Sequence, residues 1–325
     1  MAVLKASCLK PLVVIALAGI LGGCQRAEKP TATAQTGPSY RVVLQWGKTG
    51  SGPGEFNGVQ GLAVAERGEV FVADAENCRI QVFDTRGRFR RAWGRCGEGP
   101  GELRRPMDVA VDPAGRVYVV DFLLDRVVVF DITGKFLRHW GQPGSGRGEL
   151  DSPVGVTLDS AGQVYVSEFY NHRVQRFGAD GKSPTLLGGA GVETGRFHYP
   201  GRLAFGSDGQ LYVVDAHNYR IQKIDLEGNP VAAWGSSGTW QGQFQDPVDV
   251  AVNPDGSFHV ADSGNRRVQW LSREGKFLVQ WRLPDQTGTK FESPAALTLD
   301  AEGFLYVSDI ANNRIYKLEA IRGGR

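Results

Sequence analysis

Between residues 103 and 141 apolar positions come in short runs separated by turn residues. Asp108–Val111 is mostly apolar, Pro113-Ala114-Gly115 interrupts it, and Val117–Asp121 is a near-continuous β-branched and aromatic run. A loop follows, then Arg126–Asp131, a Thr133-Gly134 turn and Lys135–Trp140. Runs of this length and period predict four short strands, the second of them buried on both faces. Four such strands cannot cover both faces of their own sheet, so the unit requires copies of itself.

The copies recur without drift. The acid closing the second run falls at Asp74, Asp121, Glu168, Asp215, Asp262 and Asp309, a period of 47 residues. The arginine opening the third run follows the same grid at Arg79, Arg126, Arg173, Arg220, Arg267 and Arg314, as do the turn glycines from Gly68 to Gly303. A period in the forties with four strands per unit predicts an all-β, six-bladed β-propeller of four-stranded antiparallel blades. Tyr40–Trp46 belongs to this frame: counting one period back from the outer-strand Trp93 lands on Trp46, whereas the sixth unit stops after its third strand near Leu318. The N-terminal strand is therefore expected to complete blade six and remove the open sheet edges.

An F-x-x-P opening, a glycine-closed turn, a V-x-D strand end and an N-x-R-x-Q restart are seen in Phe197–Ile224 and Phe244–Leu271. This pattern resembles the NHL repeat over residues 40–321. The resemblance implies a propeller that serves as a general binding platform, for proteins or nucleic acids, and in a few members for catalysis.

The first residues do not follow the repeat. Lys5 and Lys10 precede a short apolar run, Leu12–Ile20, and then Leu21-Gly22-Gly23-Cys24. The run is too short for an ordinary spanning helix and reads as an export signal over residues 1–23. Leu-Gly-Gly-Cys resembles the lipobox of bacterial lipoproteins, which implies cleavage before Cys24 and acylation of its thiol. With Gln25 next, the resemblance implies the periplasmic side of an outer membrane if the source is Gram-negative. Residues 24–39, rich in Thr, Ala and Pro, read as a tether. Loss of Lys5 and Lys10 with the signal lowers the basic side chains from 37 to 35, equal to the 35 acidic ones. That balance leaves no electrostatic footprint for nucleic acid.

Several motifs dissolve against the repeat. Gly50–Gly54, Gly97–Gly101 and Gly144–Gly148 resemble phosphate-binding loops, but each joins one blade to the next with no helix after it. The Asp…Arg pairs, such as Asp121 with Arg126, recur in every unit and read as structural braces. No nucleophile elbow, zinc-binding cysteine pair or His-Glu-x-x-His sequence is present, so no catalytic residue and no bound metal are assigned.

Function is sought where the blades differ. The loops between second and third strands bring Phe122, Leu123, Phe169, Tyr170, His172, His217 and Tyr219 to one face of neighbouring blades. These form either an exposed aromatic patch suited to a partner or rings folded down to cap the sheet. A second variable slot, at the start of each innermost strand, reads Gly61, Asp108, Gly155, Arg202, Asp249 and Ala296. Asp108 and Asp249 are expected to face each other at the channel mouth with Arg202 beside Asp249. Six-bladed calcium hydrolases and amidating lyases, which resemble this family, use carboxylates or histidines in such a mouth, so calcium is the one cofactor the resemblance implies. His198 reads as a lone imidazole, and His139 and His259 as structural. Cys78 and Cys96 lie in loops on one face, within reach of a disulfide if the longer loop folds inward, in a compartment where disulfides persist. The favoured function is a monomeric, membrane-tethered binding or scaffold module for a protein or envelope polymer. The alternative is a hydrolase or lyase at the channel mouth.

Overall fold

The computed structural model describes residues 39–282 and 291–321. The signal segment, Cys24 and nearly all of the tether lie outside the described residues. The chain enters as β1 (Ser39–Trp46). Blade one is β2–β5 (Val59–Val64, Glu69–Asp74, Arg79–Asp84, Phe89–Trp93), and blade two is β6–β9 (Pro106–Val111, Arg116–Asp121, Arg126–Asp131, Phe136–Trp140). Blade three is β10–β13 (Pro153–Leu158, Val164–Glu168, Arg173–Phe177, Thr185–Gly188), and blade four is β14–β17 (Pro200–Phe205, Leu211–Asp215, Arg220–Ile224, Pro230–Trp234). Blade five is β18–β21 (Pro247–Val252, Phe258–Asp262, Arg267–Leu271, Phe277–Trp281). Blade six is β22–β24 (Pro294–Leu299, Leu305–Asp309, Arg314–Ile321) with β1 added on its outer edge.

Every blade is a four-stranded antiparallel sheet, and the six inner strands β2, β6, β10, β14, β18 and β22 contact one another in a closed ring. Ring closure is as the repeat arithmetic expects: Tyr40 pairs with Ala320 and Trp46 with Ile315. Three strand limits of blade two differ from the sequence reading. The inner strand starts at Pro106 rather than Asp108, the second at Arg116 rather than Val117, and the outer strand at Phe136, because the Lys135 N–H donates to Asp131 Oδ1 and belongs to the turn.

The second strands are buried on both faces, as their unbroken apolar runs require. Phe71, Tyr118, Tyr165, Tyr212, His259 and Tyr306 occupy one repeated core slot. In blade five, where the slot is histidine, Tyr40 of β1 supplies the phenol, its hydroxyl 2.8 Å from His259 Nε2. The outer-strand tryptophans lie against the next blade: Trp93 stacks near Phe130, ring centroids 6.0 Å apart, and sits over Gly134. A Cβ at Gly134 would meet Trp93 Cδ2 at 2.5 Å, and its φ of +93° also requires glycine.

The repeated braces take the expected form in four blades. Asp74–Arg79, Glu168–Arg173, Asp215–Arg220 and Asp262–Arg267 are ion pairs at 2.6 to 2.7 Å. Each of these arginines also donates to carbonyls of the preceding glycine-rich loop, as Arg79 does to Ser51, Gly52 and Glu55. The loop amides are covered too, since Gly52 N–H donates to the Glu55 carboxylate. The Asp121–Arg126 pair does not form. Blade two has Leu124 and Val128 where those four blades carry Asn and Gln, and the Asp121 carboxylate accepts from the N–H groups of Arg104, Arg105, Leu123 and Leu124. Arg126 keeps only the loop carbonyls of Glu98, Gly99 and Glu102.

Candidate functional site

The antiparallel order of each blade puts the loops between second and third strands on the same face as the blade-to-blade loops. Asn77, Asn171, Asn218 and Asn265 tie the two sets together, each amide donating to a glycine carbonyl of the neighbouring loop. Both candidate sites lie towards this loop face.

At the start of each inner strand a register shift bulges the chain, as between Pro106 and Asp108 and between Pro247 and Asp249. A bulge leaves backbone amides without ladder partners. Asp108 Oδ2 accepts the Val156 N–H at 3.0 Å, and Asp249 Oδ2 accepts the Leu297 N–H at 2.7 Å, so each carboxylate braces its blade to the next. Glycine at two of the other slots makes room: a Cβ on Gly61 would stand 2.5 Å from Asp108 Oδ1, and one on Gly155 would stand 2.9 Å from Arg202 Cα.

The Arg202 charge acts on Asp249 of the neighbouring blade, and its side chain crosses the axis from blade four to the opposite side. Nη1 donates to Ala295 O at 2.9 Å, and Nη2 donates to Met107 O at 2.7 Å and Gln60 Oε1 at 3.2 Å. Its ion pair is with Asp108, Nε to Oδ1 3.5 Å. Asp108, Arg202 and Asp249 are all buried, so this slot is an internal polar clasp and not an open mouth. Burial pushes the Asp108 carboxyl up to about 6 against the pull of Arg202. Asp249 rises to about 8, first through burial and then through repulsion from Asp108, with Arg202 opposing both. Among the described residues no group of three or more His, Cys, Asp or Glu side chains is placed to hold a metal ion.

The aromatic residues of blades two to four do meet. Phe122 contacts Tyr170 with centroids 6.4 Å apart, Tyr170 contacts Phe169 at 5.2 Å, and Phe169 reaches His217 at 6.3 Å. Phe122, Phe169, Tyr170 and His172 are half-buried and His217 is exposed, so the rings partly cap the sheet and partly face solvent. Leu123 stays exposed at the edge, and Tyr219 caps a 3₁₀ turn outside the chain of ring contacts.

The centre of the cluster is a residue that sequence reasoning missed. Tyr199 packs on Phe169 at 4.7 Å, His172 at 4.4 Å, His198 at 4.8 Å and His217 at 4.5 Å. His198 is thus not a lone imidazole. Tyr199 fills a slot held elsewhere by Gly58, Arg105, Ser152, Asp246 and Ser293, so comparison of that column would have flagged it. The same comparison flags Trp240, which stands where Gly52, Gly99 and Gly146 stand in earlier blades and is 78% exposed. Among the described residues, exposed large apolar side chains off the outermost strands are Leu123, Val192, Trp240 and the terminal Ile321, and the first three share the loop face.

Cys78 and Cys96 are joined by a disulfide on this face of blade one, Cα atoms 5.0 Å apart. Closing a loop of this size restricts the unfolded chain by about 3 kcal/mol in the entropic account.

Comparison with known proteins agrees with this architecture. The profile of a family described as a 6-bladed beta-propeller matches residues 57–139, and the NHL repeat profile matches 150–177, 197–224 and 244–271. Protein lin-41 of Caenorhabditis elegans is 49% identical over 47 residues, one repeat's length, which covers 14% of this chain and 4% of that protein. A virginiamycin B lyase structure from Staphylococcus aureus, with quinupristin, superposes with a TM-score of 0.61 at 18% identity, covering 87% of this chain and 89% of that one. A gluconolactonase from Xanthomonas campestris gives 0.63 at 14% identity, covering 82% and 87%. An auxiliary nutrient binding protein from Bacteroides thetaiotaomicron gives 0.61 at 14% identity, covering 82% and 69%. At these identities the likeness is one of fold. The chain is a six-bladed β-propeller that carries NHL repeats.

Proposed function

We propose that this chain is a membrane-tethered binding module that takes a partner protein of the cell envelope on its loop face, anchored through lipid on Cys24. The observation that carries the reading is the continuous, part-exposed ring cluster from Phe122 to His217 around Tyr199, built where the blades depart from their own repeat. Aromatic clusters of this kind supply the anchoring contacts of protein interfaces. The channel mouth offers less: its carboxylates are buried, capped by backbone amides and crossed by Arg202, which favours a structural role over calcium binding or hydrolysis there. β1 begins at Ser39, paired with Ile321, on the face opposite the loops, so an anchor upstream leaves the loop face free.

A photo-reactive side chain at Trp240 of the full-length protein should cross-link one discrete envelope protein. The adduct should be lost when Phe169→Ser and Tyr199→Ser are added. The same probe at Ala161, on the opposite face, should give none. Equal cross-linking from Ala161, or an adduct indifferent to the two serines, would sink the reading.

A further inference from the structure

Three imidazoles converge at the centre of the loop face, each from a different loop. The ring centroids of His172 and His198 are 5.4 Å apart, and those of His198 and His217 are also 5.4 Å apart. His172 Nδ1 accepts the Tyr199 backbone N–H at 3.0 Å, so in the neutral ring the proton sits on Nε2 as a donor. His198 and His217 are exposed, and among the described residues their ring nitrogens carry no hydrogen bond. These are unengaged polar groups set among Phe169, Tyr170 and Tyr199, and a purely apolar contact would make no use of them.

Protons are disfavoured on two of these rings. Burial holds His172 and His217 below the ordinary imidazole range, and repulsion from His198 adds to it in both. Asp215 and Asp246 face the cluster and pull the other way. Asp215 is buried, however, and already accepts from Arg220 Nε and from the His198 backbone N–H, each at 2.7 Å. Among the described residues the phenol ring of Tyr199 packs on all three imidazoles, with Tyr170 behind it. A carboxylate brought within a few ångströms of the rings would offset their mutual repulsion and accept their N–H groups.

We infer that the loop face takes an acidic peptide segment of its partner protein, one carboxylate seated among His172, His198 and His217, with binding coupled to proton uptake by His198 and His217 while His172 donates from Nε2. The inference rests on the loop face being the binding surface. The peptide's apolar neighbours lie on Phe169 and Tyr170. Because the bound rings hold protons more strongly than the free ones, affinity rises as pH falls through the imidazole range. It levels off once the free rings are themselves protonated.

The test uses the full-length protein and two fluorescent probes, a short peptide alternating Glu with Leu and Phe and its Gln counterpart. Anisotropy is read at about pH 5.5 and about pH 8, a window that spans imidazole titration but not that of the probe's own carboxylates. The Glu probe should bind about tenfold more tightly at the lower pH for each imidazole whose pKa rises one unit on binding. His198→Gln with His217→Gln should remove that pH dependence, while His172 is kept for its bond to the Tyr199 backbone. Equal affinity at both pH values, persistence of the dependence in the double variant, or failure of the Glu probe to bind would each overturn the inference. If both probes bind alike and Phe169→Ser weakens both, the carboxylate seat is wrong while the loop face stands as the binding surface. Failure of both probes together with absent cross-linking from Trp240 would remove both.

Discussion

Removal of the Arg202 guanidinium would leave two buried carboxyl groups with no countercharge. Arg202→Met should therefore lower the unfolding free energy by about 3 to 5 kcal/mol near neutral pH, as measured in denaturant. The deficit should shrink in acid, where Asp108 and Asp249 can be held as neutral acids. The pH dependence of the unaltered protein has a definite sign. Both carboxyls are raised above their unfolded values, so the folded state binds protons more tightly than the unfolded chain. Their contribution is fully present below the unfolded pKa, about 4, and is lost as pH rises through about 6 for Asp108 and about 8 for Asp249. Asp249→Asn, which keeps an acceptor for the Leu297 N–H but cannot ionise, should melt close to the parent at about pH 5.5 and above it at about pH 9. A melting offset identical at both pH values would show that Asp249 does not carry a proton in the fold. The trio itself was legible, because a slot reading Gly, Asp, Gly, Arg, Asp, Ala announces a departure from the repeat. Which carboxylate the arginine selects was not. That choice depends on a long side chain crossing the axis to carbonyls of blades two and six, and spacing along the chain carries no such information.

Among the elements, β1 is the one whose loss would open the ring. It covers the edge of β24 and sends Tyr40 against His259 and Trp281 of blade five and Trp46 against Phe83 of blade one. Deleting Ser39–Trp46 should expose that edge and the apolar surface around Leu318, giving aggregation or a large fall in melting temperature. Deleting residues 25–38 should leave the melting temperature unchanged, and equal behaviour of the two truncations would refute the closure role. This element could be recognised because Trp46 falls on the 47-residue grid and the sixth unit lacks an outer strand. Residues that obey the repeat are readable as fold because packing imposes the same demand in each blade. The loop cluster was only half readable for the complementary reason. Phe122, Phe169 and Tyr170 stood out in one compared loop, whereas Tyr199 and His198 sit in another loop that converges with it only after folding. Blade two shows the limit from the other side, since one Asn and one Gln of the repeat are replaced there and the ion pair that the repeat implies does not form.

For the molecule as a whole, the two ends of the propeller decide how a tether could hold it. β1 runs from the face opposite the loops to the loop face, and β24 returns to end beside Ser39, so both ends leave on the side away from Tyr199 and its imidazoles. Fourteen residues lie between Cys24 and Ser39, a stretch that fully extended could reach about 50 Å. Among the described residues no helix is long and apolar enough to cross a membrane; in the proposed reading the attachment is the acyl group on Cys24. Bacterial lipoproteins resemble the case in which more than one chain is attached, and that is what makes an acyl anchor stable. Cys24→Ala should therefore move the protein from the membrane pellet to the soluble envelope fraction. Its melting temperature should stay the same, because the described core is built from Tyr40 onward. Fractionation after salt and carbonate washes, with melting measured on both forms, separates the alternatives. A Cys24→Ala protein that stays with the membrane would mean that the attachment is made by the loop face or by an uncleaved apolar segment, and the acyl tether would have to be abandoned.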